Sequence, residues 1–169
     1  MTPLERLWNG WRSTYVQSIG TTDALPGEGS IFTRILQSGL TDDEAHIVHR
    51  GERCFVILNA FPYGSGHLLV LPYHEVPNLE DLDADEAEEL WATVTDAVRA
   101  IKTAYSPDGV NVGVNLGRPA GGSVSEHLHV HVVPRWTGDA NFMTAIANTR
   151  TLPEPLDDTA TKIRAAWPG

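Results

Sequence analysis

The pattern of apolar and polar positions changes its period along this chain, which separates helices from strands. Between residues 83 and 105 apolar side chains recur every three or four positions, which predicts one long helix with a single buried face. A shorter helix, capped by Ser30 and ended by Gly39, is expected before it. Short runs rich in valine, leucine, isoleucine and phenylalanine predict strands. These strands are expected at residues 46–49, 53–59, 67–71, 110–115 and 128–133, with Pro134 stopping the last.

Strands grouped around one long helix predict an α+β fold with a mainly antiparallel sheet and several short helices. The length of 169 residues suits one domain with a substantial core. We expect this core domain to span residues 30–145. Residues 1–29 are expected to form a helix-and-loop extension, and residues 146–169 a second extension packed on the same domain.

Charge excludes one class of partner. The chain has 12 Lys and Arg against 22 Asp and Glu, a formal charge of −10, and nucleic-acid binding is normally driven by a basic surface. Residues 80–96 alone contain eight acids and no Lys or Arg, the usual composition of a solvated helix face. Residues 111–138 contain two arginines and one glutamate. We therefore expect no nucleic-acid partner, but a near-neutral region that suits a small phosphorylated ligand.

The location of the protein is predicted from features that the sequence lacks. No apolar run approaches the roughly 20 residues of a membrane span. The first residues lack the basic-then-apolar layout of a signal peptide. The single cysteine, Cys54, cannot form an internal disulfide, as is typical of a reducing compartment. These features predict a cytoplasmic protein with no membrane partner.

Three histidines alternate with apolar residues near the end of the predicted sheet. On a strand, His127, His129 and His131 would share one face at intervals of about 6.5–7 Å, while the residues between them pack into the core. The residues alone leave three interpretations open: a chance run of structural histidines, a metal site, or nucleophilic catalysis at phosphorus. The regular alternation and the preceding glycine-rich loop, residues 117–123, favour catalysis, because such a loop can present backbone N–H groups to an anion. A nucleophilic histidine would need an acceptor, such as a backbone carbonyl, to fix its tautomer.

Two segments resemble a known family. Residues 127–133, HLHVHVV, resemble the His-φ-His-φ-His-φ-φ motif (φ apolar) of the histidine triad, or HIT, nucleotide hydrolases and transferases. Residues 58–70, LNAFPYGSGHLLV, resemble that family's strand–turn–Gly-His–strand segment. The resemblance extends over roughly residues 30–145. It implies a HIT-like fold with a five-stranded antiparallel sheet, a homodimer or higher homo-oligomer, and a covalent nucleotidyl-histidine intermediate.

The resemblance also implies a role for individual residues. His129 would be the nucleophile, with His127 and His131 in contact with phosphate oxygens. Ser123 would interact with the leaving group or the acceptor, and His67 would support the triad strand. Asn59 would bind the ribose hydroxyls, Asn115 and Gly122 would bind phosphate, and Trp136 would also contact the substrate.

Two further segments, residues 4–12 (LERLWNGWR) and 134–143 (PRWTGDANFM), resemble the bacterial diadenosine tetraphosphate phosphorylases within the family. This resemblance implies phosphorolysis of diadenosine polyphosphates to ADP plus a nucleoside polyphosphate, with inorganic phosphate as the second partner. Two alternatives remain open. A HIT hydrolase would release AMP from dinucleoside polyphosphates or other adenylyl conjugates, and a catalytically silent module would only bind nucleotide.

A structural zinc ion is not expected. Many HIT relatives begin their core with Cys-x-x-Cys, part of a zinc site, whereas residues 30–33 are SIFT here and offer no thiolate. Hydroxyls are poor zinc ligands, even though His74 remains as a candidate ligand nearby. We predict no metal site and no required cofactor, although a divalent cation such as Mg²⁺ could accompany the nucleotide.

Overall fold

A computed structural model of the chain describes residues 25–121, 124–139 and 154–169. These residues form one five-stranded sheet with helices on both of its faces, which confirms the α+β prediction. The helices are α1 (Ile31–Gln37), α2 (Asp42–Ala45), α3 (Ala84–Tyr105) and α4 (Leu156–Ala165), with two short 3₁₀ turns at Leu79–Asp81 and Arg118–Ala120. The strands are β1 (Ile47–Arg50), β2 (Cys54–Leu58), β3 (Leu68–Pro72), β4 (Gly109–Val114) and β5 (Val130–Arg135).

The sheet places the histidine-rich segment near its centre. The strand order is β1-β2-β3-β5-β4, and every neighbouring pair is antiparallel. Strand β5 therefore lies between β3 and β4, with His131 opposite Leu69 of β3 and Gly113 of β4. Among the described strands, β5 thus pairs with a neighbour on both sides at His131.

The two faces of the sheet bury different sets of side chains, because successive residues of a strand point to opposite faces. Helices α3 and α4 cover one face, where Leu128, Val130 and Val132 are fully or almost fully buried, as predicted. Helix α1 covers the other face. The core there is formed by Phe32, Ala45, Ile47, Phe55, Ile57, Leu69 and Leu71.

Part of the acidic stretch lies on the exposed side of α3, whereas Glu89 accepts hydrogen bonds from the backbone of Arg53 and Cys54 at the start of β2. The helix begins after Asp83, whose side chain accepts a hydrogen bond from the Glu86 backbone N–H in a reciprocal capping box. Its apolar stripe includes Leu90, Val94 and Ile101 and packs on the sheet. The exposed acids of α3 therefore lie across the sheet from α1. Among the described residues, none of the helices combines the length and apolar content required to cross a bilayer.

The end of β5 differs from the sequence prediction. Strand β5 does not stop before Pro134 but continues to Arg135, with Pro134 paired to Val110 of β4. The pairing of β5 with β3 ends at Val132. Pro134 lies beyond this point, so its missing N–H interrupts no hydrogen bond to β3. The prediction that Pro134 ends the strand was therefore wrong.

Helix α4 was not predicted from the sequence, although its ends follow common rules. Acids fill the first turn of α4, and Lys162 and Arg164 lie in the last, as the helix dipole favours. The Arg164 guanidinium donates to the backbone carbonyl of Ile47 at 2.7 Å. The segment at the C-terminal end of the sequence is thereby tied to the edge strand β1.

Candidate active site

The candidate site lies where the chain enters β5, on the face of the sheet covered by α1. Only His131 belongs to the strand, and His127 and His129 precede it, so the prediction that a strand runs from residue 128 was wrong in its start. The rings of His127 and His129 lie 5.7 and 5.6 Å from the Phe32 ring of α1, centroid to centroid. The centroids of His129 and His131 are 5.0 Å apart. The three histidines are therefore grouped on one side of the sheet.

His129 has the tautomer that a nucleophile needs. Its Nδ1 lies 2.8 Å from the backbone carbonyl oxygen of His127, which can only accept a hydrogen bond. In the neutral ring Nδ1 therefore carries the proton and Nε2 carries the lone pair. The sequence prediction required such a carbonyl, and the structure supplies it from two residues upstream.

His131 has the opposite tautomer because of a chain of hydrogen bonds. The backbone N–H of Tyr63 donates to Nδ1 of His67 at 3.1 Å, so the proton of neutral His67 is on Nε2. That Nε2 lies 2.9 Å from Nδ1 of His131, which therefore accepts. The proton of neutral His131 is then on its own Nε2. The nearest atom of Asn115, Nδ2 at 3.4 Å, is also a donor and does not accept this proton. Next to the lone pair of His129 the site thus presents a hydrogen-bond donor.

Burial, with a smaller contribution from the nearby His129, lowers the pKa of His131 to about 4. Its ring is therefore neutral at physiological pH. The donor on Nε2 belongs to this neutral ring, so His131 offers a hydrogen bond beside His129 without adding a positive charge of its own. This arrangement suits attack on a phosphorus atom by one histidine with a hydrogen bond to a phosphate oxygen from the other.

His127 is bonded on both ring nitrogens inside the protein. Its Nε2 lies 2.8 Å from the carbonyl oxygen of Pro72, and its Nδ1 lies 2.7 Å from Oγ of Ser30. Burial lowers its pKa, so the ring is neutral, donates from Nε2 and accepts at Nδ1. Only 1% of the residue is exposed. His127 therefore has no ring nitrogen to offer to a phosphate oxygen and instead holds the entry to β5.

Some of the residues predicted to bind substrate are close to the histidines. Asn59 has its Nδ2 3.4 Å from the ring of His67, and its Oδ1 accepts from the backbone N–H of Phe61 at 2.9 Å. Asn115 approaches His131 from β4's end of the sheet. The structure thus groups Asn59, Asn115 and His67 with His131.

Trp136 is not grouped with them. It follows β5 and lies five residues beyond His131, about 16 Å along an extended chain. Its ring packs edge-on against Tyr105, with centroids 6.3 Å apart. The predicted substrate residues Gly122 and Ser123 lie outside the described residues.

Several residues beside the histidines were not predicted as part of the site. Phe32 packs on two triad rings, and Ser30, predicted only as a helix cap, also bonds His127. The Tyr63 ring packs at a tilt against His67, with centroids 4.6 Å apart, and Tyr63 is 52% exposed. Glu75 bonds the backbone of Ser30. No sequence motif marks these contacts, because most of them join residues far apart in the chain.

The residues at the position of the family's zinc site fit zinc poorly. The Thr33 hydroxyl donates to the Glu75 carboxylate, and the Ser30 hydroxyl bonds His127, so both hydroxyls already have partners. The His74 side chain is exposed to solvent, and its Nδ1 lies 3.2 Å from a carboxylate oxygen of Glu86. Within residues 25–121, 124–139 and 154–169, no group of three or more histidine, cysteine, aspartate or glutamate side chains is arranged to hold a metal ion.

The lowered pKa of His131 has a consequence for stability. The unfolded chain binds a proton on this ring near pH 6.5, whereas the folded chain binds it only near pH 4. Protonation therefore favours unfolding between these values, and the free energy of unfolding should fall as the pH is lowered from 6.5 to about 4. Urea unfolding at a series of pH values measures this fall. His131→Asn should show a shallower dependence, and equal slopes for the two proteins would contradict the assignment.

Comparisons with known proteins agree with this geometry. A family model described as "HIT domain" matches residues 41–138. The AP-4-A phosphorylase of Mycobacterium tuberculosis is 46% identical over 169 residues, covering 97% of this chain and 85% of the relative.

Solved structures show the same similarity. A Hit-like protein from Bartonella henselae, described as involved in cell-cycle regulation, has a TM-score of 0.68 and 28% identity, over 83% of this chain and 97% of that one. A Zn-bound histidine triad family protein from Mycobacterium smegmatis has a TM-score of 0.66 and 27% identity, over 82% and 92%.

Proposed function

Because the chain belongs to the histidine triad family, we propose that it transfers a nucleotidyl group through a covalent intermediate on His129. The specific reaction proposed is phosphorolysis of diadenosine polyphosphates to ADP plus a nucleoside polyphosphate. The observation that carries the proposal is the pairing of a lone pair on His129 Nε2 with a proton on His131 Nε2. The choice of phosphate as acceptor is supported by the 46% identity to the AP-4-A phosphorylase.

In the first step, Nε2 of His129 attacks the phosphorus atom next to one adenosine. The bond from that phosphorus to the bridging oxygen breaks, and the rest of the polyphosphate leaves as a nucleoside polyphosphate. The imidazole gains a positive charge, and its Nδ1–H continues to donate to the carbonyl of His127, which stabilises that charge. His131 donates from Nε2 to an oxygen of the reacting phosphate.

In the second step, an oxygen of inorganic phosphate attacks the same phosphorus atom. The bond from phosphorus to His129 Nε2 breaks, the imidazole recovers its lone pair and ADP leaves. Water in place of phosphate would give AMP. The acceptor is therefore decided by the residues that bind phosphate, for which we propose Asn115, Gly122 and Ser123.

Asn59 is proposed to bind the ribose hydroxyls, and its placement beside His67 supports this role. We propose that His127 and His67 position their neighbours, since each has ring nitrogens bonded to the protein. We propose no contact between Trp136 and a nucleotide that is bound at His129 of the same chain. A divalent cation such as Mg²⁺ would belong to the polyphosphate substrate, and no resident metal cofactor is proposed.

A cytoplasmic homodimer or higher homo-oligomer is also proposed, by analogy with the family. Strand β4 supports this proposal because it forms an edge of the sheet. Its Val112 is 44% exposed, and Leu116, just beyond the strand, is 40% exposed. An exposed edge strand with apolar side chains is a common place for pairing with a second chain.

The reaction can be tested with diadenosine tetraphosphate in the presence and absence of isotopically labelled phosphate. ADP and ATP should form together only when phosphate is present, and the label should appear in ADP alone. Without phosphate, the protein should release about one ATP per site and gain the mass of an adenylyl group.

Each other result identifies an alternative. AMP formed at the same rate with and without phosphate would contradict phosphorolysis and favour a hydrolase. Binding of the dinucleotide with no product and no adenylylated protein would contradict an enzyme of this type.

A further inference from the structure

A carboxylate joins the end of β3 to the start of α1, on the side of the site away from the substrate residues. The Glu75 carboxylate oxygens lie 3.0 and 2.9 Å from the backbone nitrogen of Ser30, which donates to them. The Thr33 hydroxyl also donates to this carboxylate. These hydrogen bonds lower the pKa of Glu75 against the opposing effect of its burial, so the group is a carboxylate at neutral pH. We call this group of residues, Ser30, Thr33 and Glu75, the clamp.

The clamp determines which way the Ser30 hydroxyl donates. The proton of the Thr33 hydroxyl is committed to Glu75, so Thr33 Oγ1, 3.2 Å from Ser30 Oγ, can only accept from Ser30. Ser30 Oγ is closer to Nδ1 of His127, at 2.7 Å. The carbonyl oxygen of Pro72 requires the His127 proton to be on Nε2. Nδ1 of His127 therefore accepts from the Ser30 hydroxyl, which holds the ring in place.

Backbone hydrogen bonds of residues 127 and 128 link the clamp to the nucleophile, His129. The carbonyl of His127 accepts from Nδ1 of His129 at 2.8 Å, and the next residue, Leu128, donates its N–H to the carbonyl of Val76 at 2.7 Å. Residues 72–76 thus hold the His127 ring, the clamp and the backbone that orients His129. A shift of His127 would move the carbonyl that fixes the tautomer and direction of the nucleophile.

In relatives with Cys-x-x-Cys the residues corresponding to Ser30 and Thr33 belong to a structural zinc site, and one similar solved structure is a Zn-bound histidine triad protein. Here the groups at these positions bond to one another and to His127. We propose that in this chain the clamp replaces the metal, and that Ser30 and Glu75 are positioning residues that hold His129 ready to attack. This inference rests on the proposed role of His129.

The test compares two matched pairs of variants. Ser30→Ala and Glu75→Gln break the clamp, whereas Thr41→Ala and Glu44→Gln break the capping box of α2, a similar Thr–Glu pair with bonds of 2.8 and 3.3 Å and no contact with the histidines. The clamp variants should lower kcat for dinucleotide cleavage roughly 10- to 100-fold with little change in KM, because misplacing a reacting group costs rate rather than binding. The capping-box variants should lower thermal stability to a similar degree and leave kcat unchanged. Ser30→Thr, which keeps the hydroxyl, should restore most of the activity.

A second readout does not depend on turnover. Histidine ring ¹H–¹⁵N spectra of the wild type should show His127 protonated on Nε2 alone, both before and after treatment with a zinc chelator. Ser30→Ala should shift the Nδ1 resonance of His127, because that atom loses its hydrogen-bond donor, whereas Thr41→Ala should leave this resonance unchanged. Unchanged spectra and kcat in Ser30→Ala would overturn the inference, as would stoichiometric zinc whose removal abolishes activity. If the wild type forms no adenylylated protein, the proposed function fails, and the spectra still decide whether the clamp fixes His127.

Discussion

Replacing His129 by alanine is expected to lower kcat for cleavage of diadenosine tetraphosphate by about 10⁴-fold or more, because it removes the atom that bonds to phosphorus. KM should change little, since the polyphosphate and ribose contacts proposed for Asn59, Asn115 and His131 remain. The measurement pairs steady-state kinetics with intact mass in the absence of phosphate. The variant should show no adenylylated protein, whereas the wild type should show one adenylyl group per chain.

His49→Ala provides a matched control. His49 stacks on Trp167 with ring centroids 4.5 Å apart, away from the triad, and its substitution also removes one partly buried imidazole. The control variant should retain wild-type kcat and the adenylylated intermediate. Adenylylation that persists in His129→Ala would place the nucleophile on another residue.

Phe32→Ala is expected to damage both stability and catalysis. The ring is 8% exposed and contacts His127 and His129, so its loss should cost about 3–5 kcal/mol of the free energy of unfolding. It should also lower kcat roughly 10- to 100-fold, because the nucleophile loses the surface against which its ring is packed. Urea unfolding measures the first effect, and kinetics at a temperature where the variant is folded measures the second.

Phe55→Ala separates the two effects. Phe55 belongs to the same core and is fully buried, but it stacks on Tyr73 rather than on a histidine. It should lose at least as much stability as Phe32→Ala and keep kcat close to wild type. Equal losses of kcat in the two variants would show that Phe32 acts only through general stability. If Phe32→Ala does not fold, Phe32→Leu provides a smaller change of the same contact.

Local sequence patterns were sufficient to predict most of the fold. The five strands and α3 follow from periodicity within each segment, and Ser30 was recognised as a cap because capping is a short-range interaction. The end of β5 was not predictable in this way, because whether Pro134 is tolerated depends on where the pairing with β3 stops. Helix α4 was missed although the charges in its first and last turns match helix-end preferences.

The candidate site was predictable only in its histidines. His127, His129 and His131 form a motif that can be read from consecutive residues, and the family resemblance added Asn59, Asn115 and His67. The bond from Ser30 to His127 joins residues 97 positions apart, and the bonds from Glu75 to Ser30 span 45. Such contacts depend on tertiary packing and leave no local period in the sequence. Strand β5 carries Trp136 away from His131 of the same chain, and its contact with substrate stays a prediction.

The acids on the outer side of α3 and the histidines lie on opposite sides of the sheet. Within the described part of the chain, Glu88 and other exposed carboxylates of α3 therefore place negative charge on the side away from the site. A polyphosphate that diffuses toward the protein experiences a field that depends on direction, so it is repelled from the outer side of α3 more strongly than from the site. The excess of acidic residues therefore biases the orientation in which substrate and protein meet, and it need not slow productive encounters.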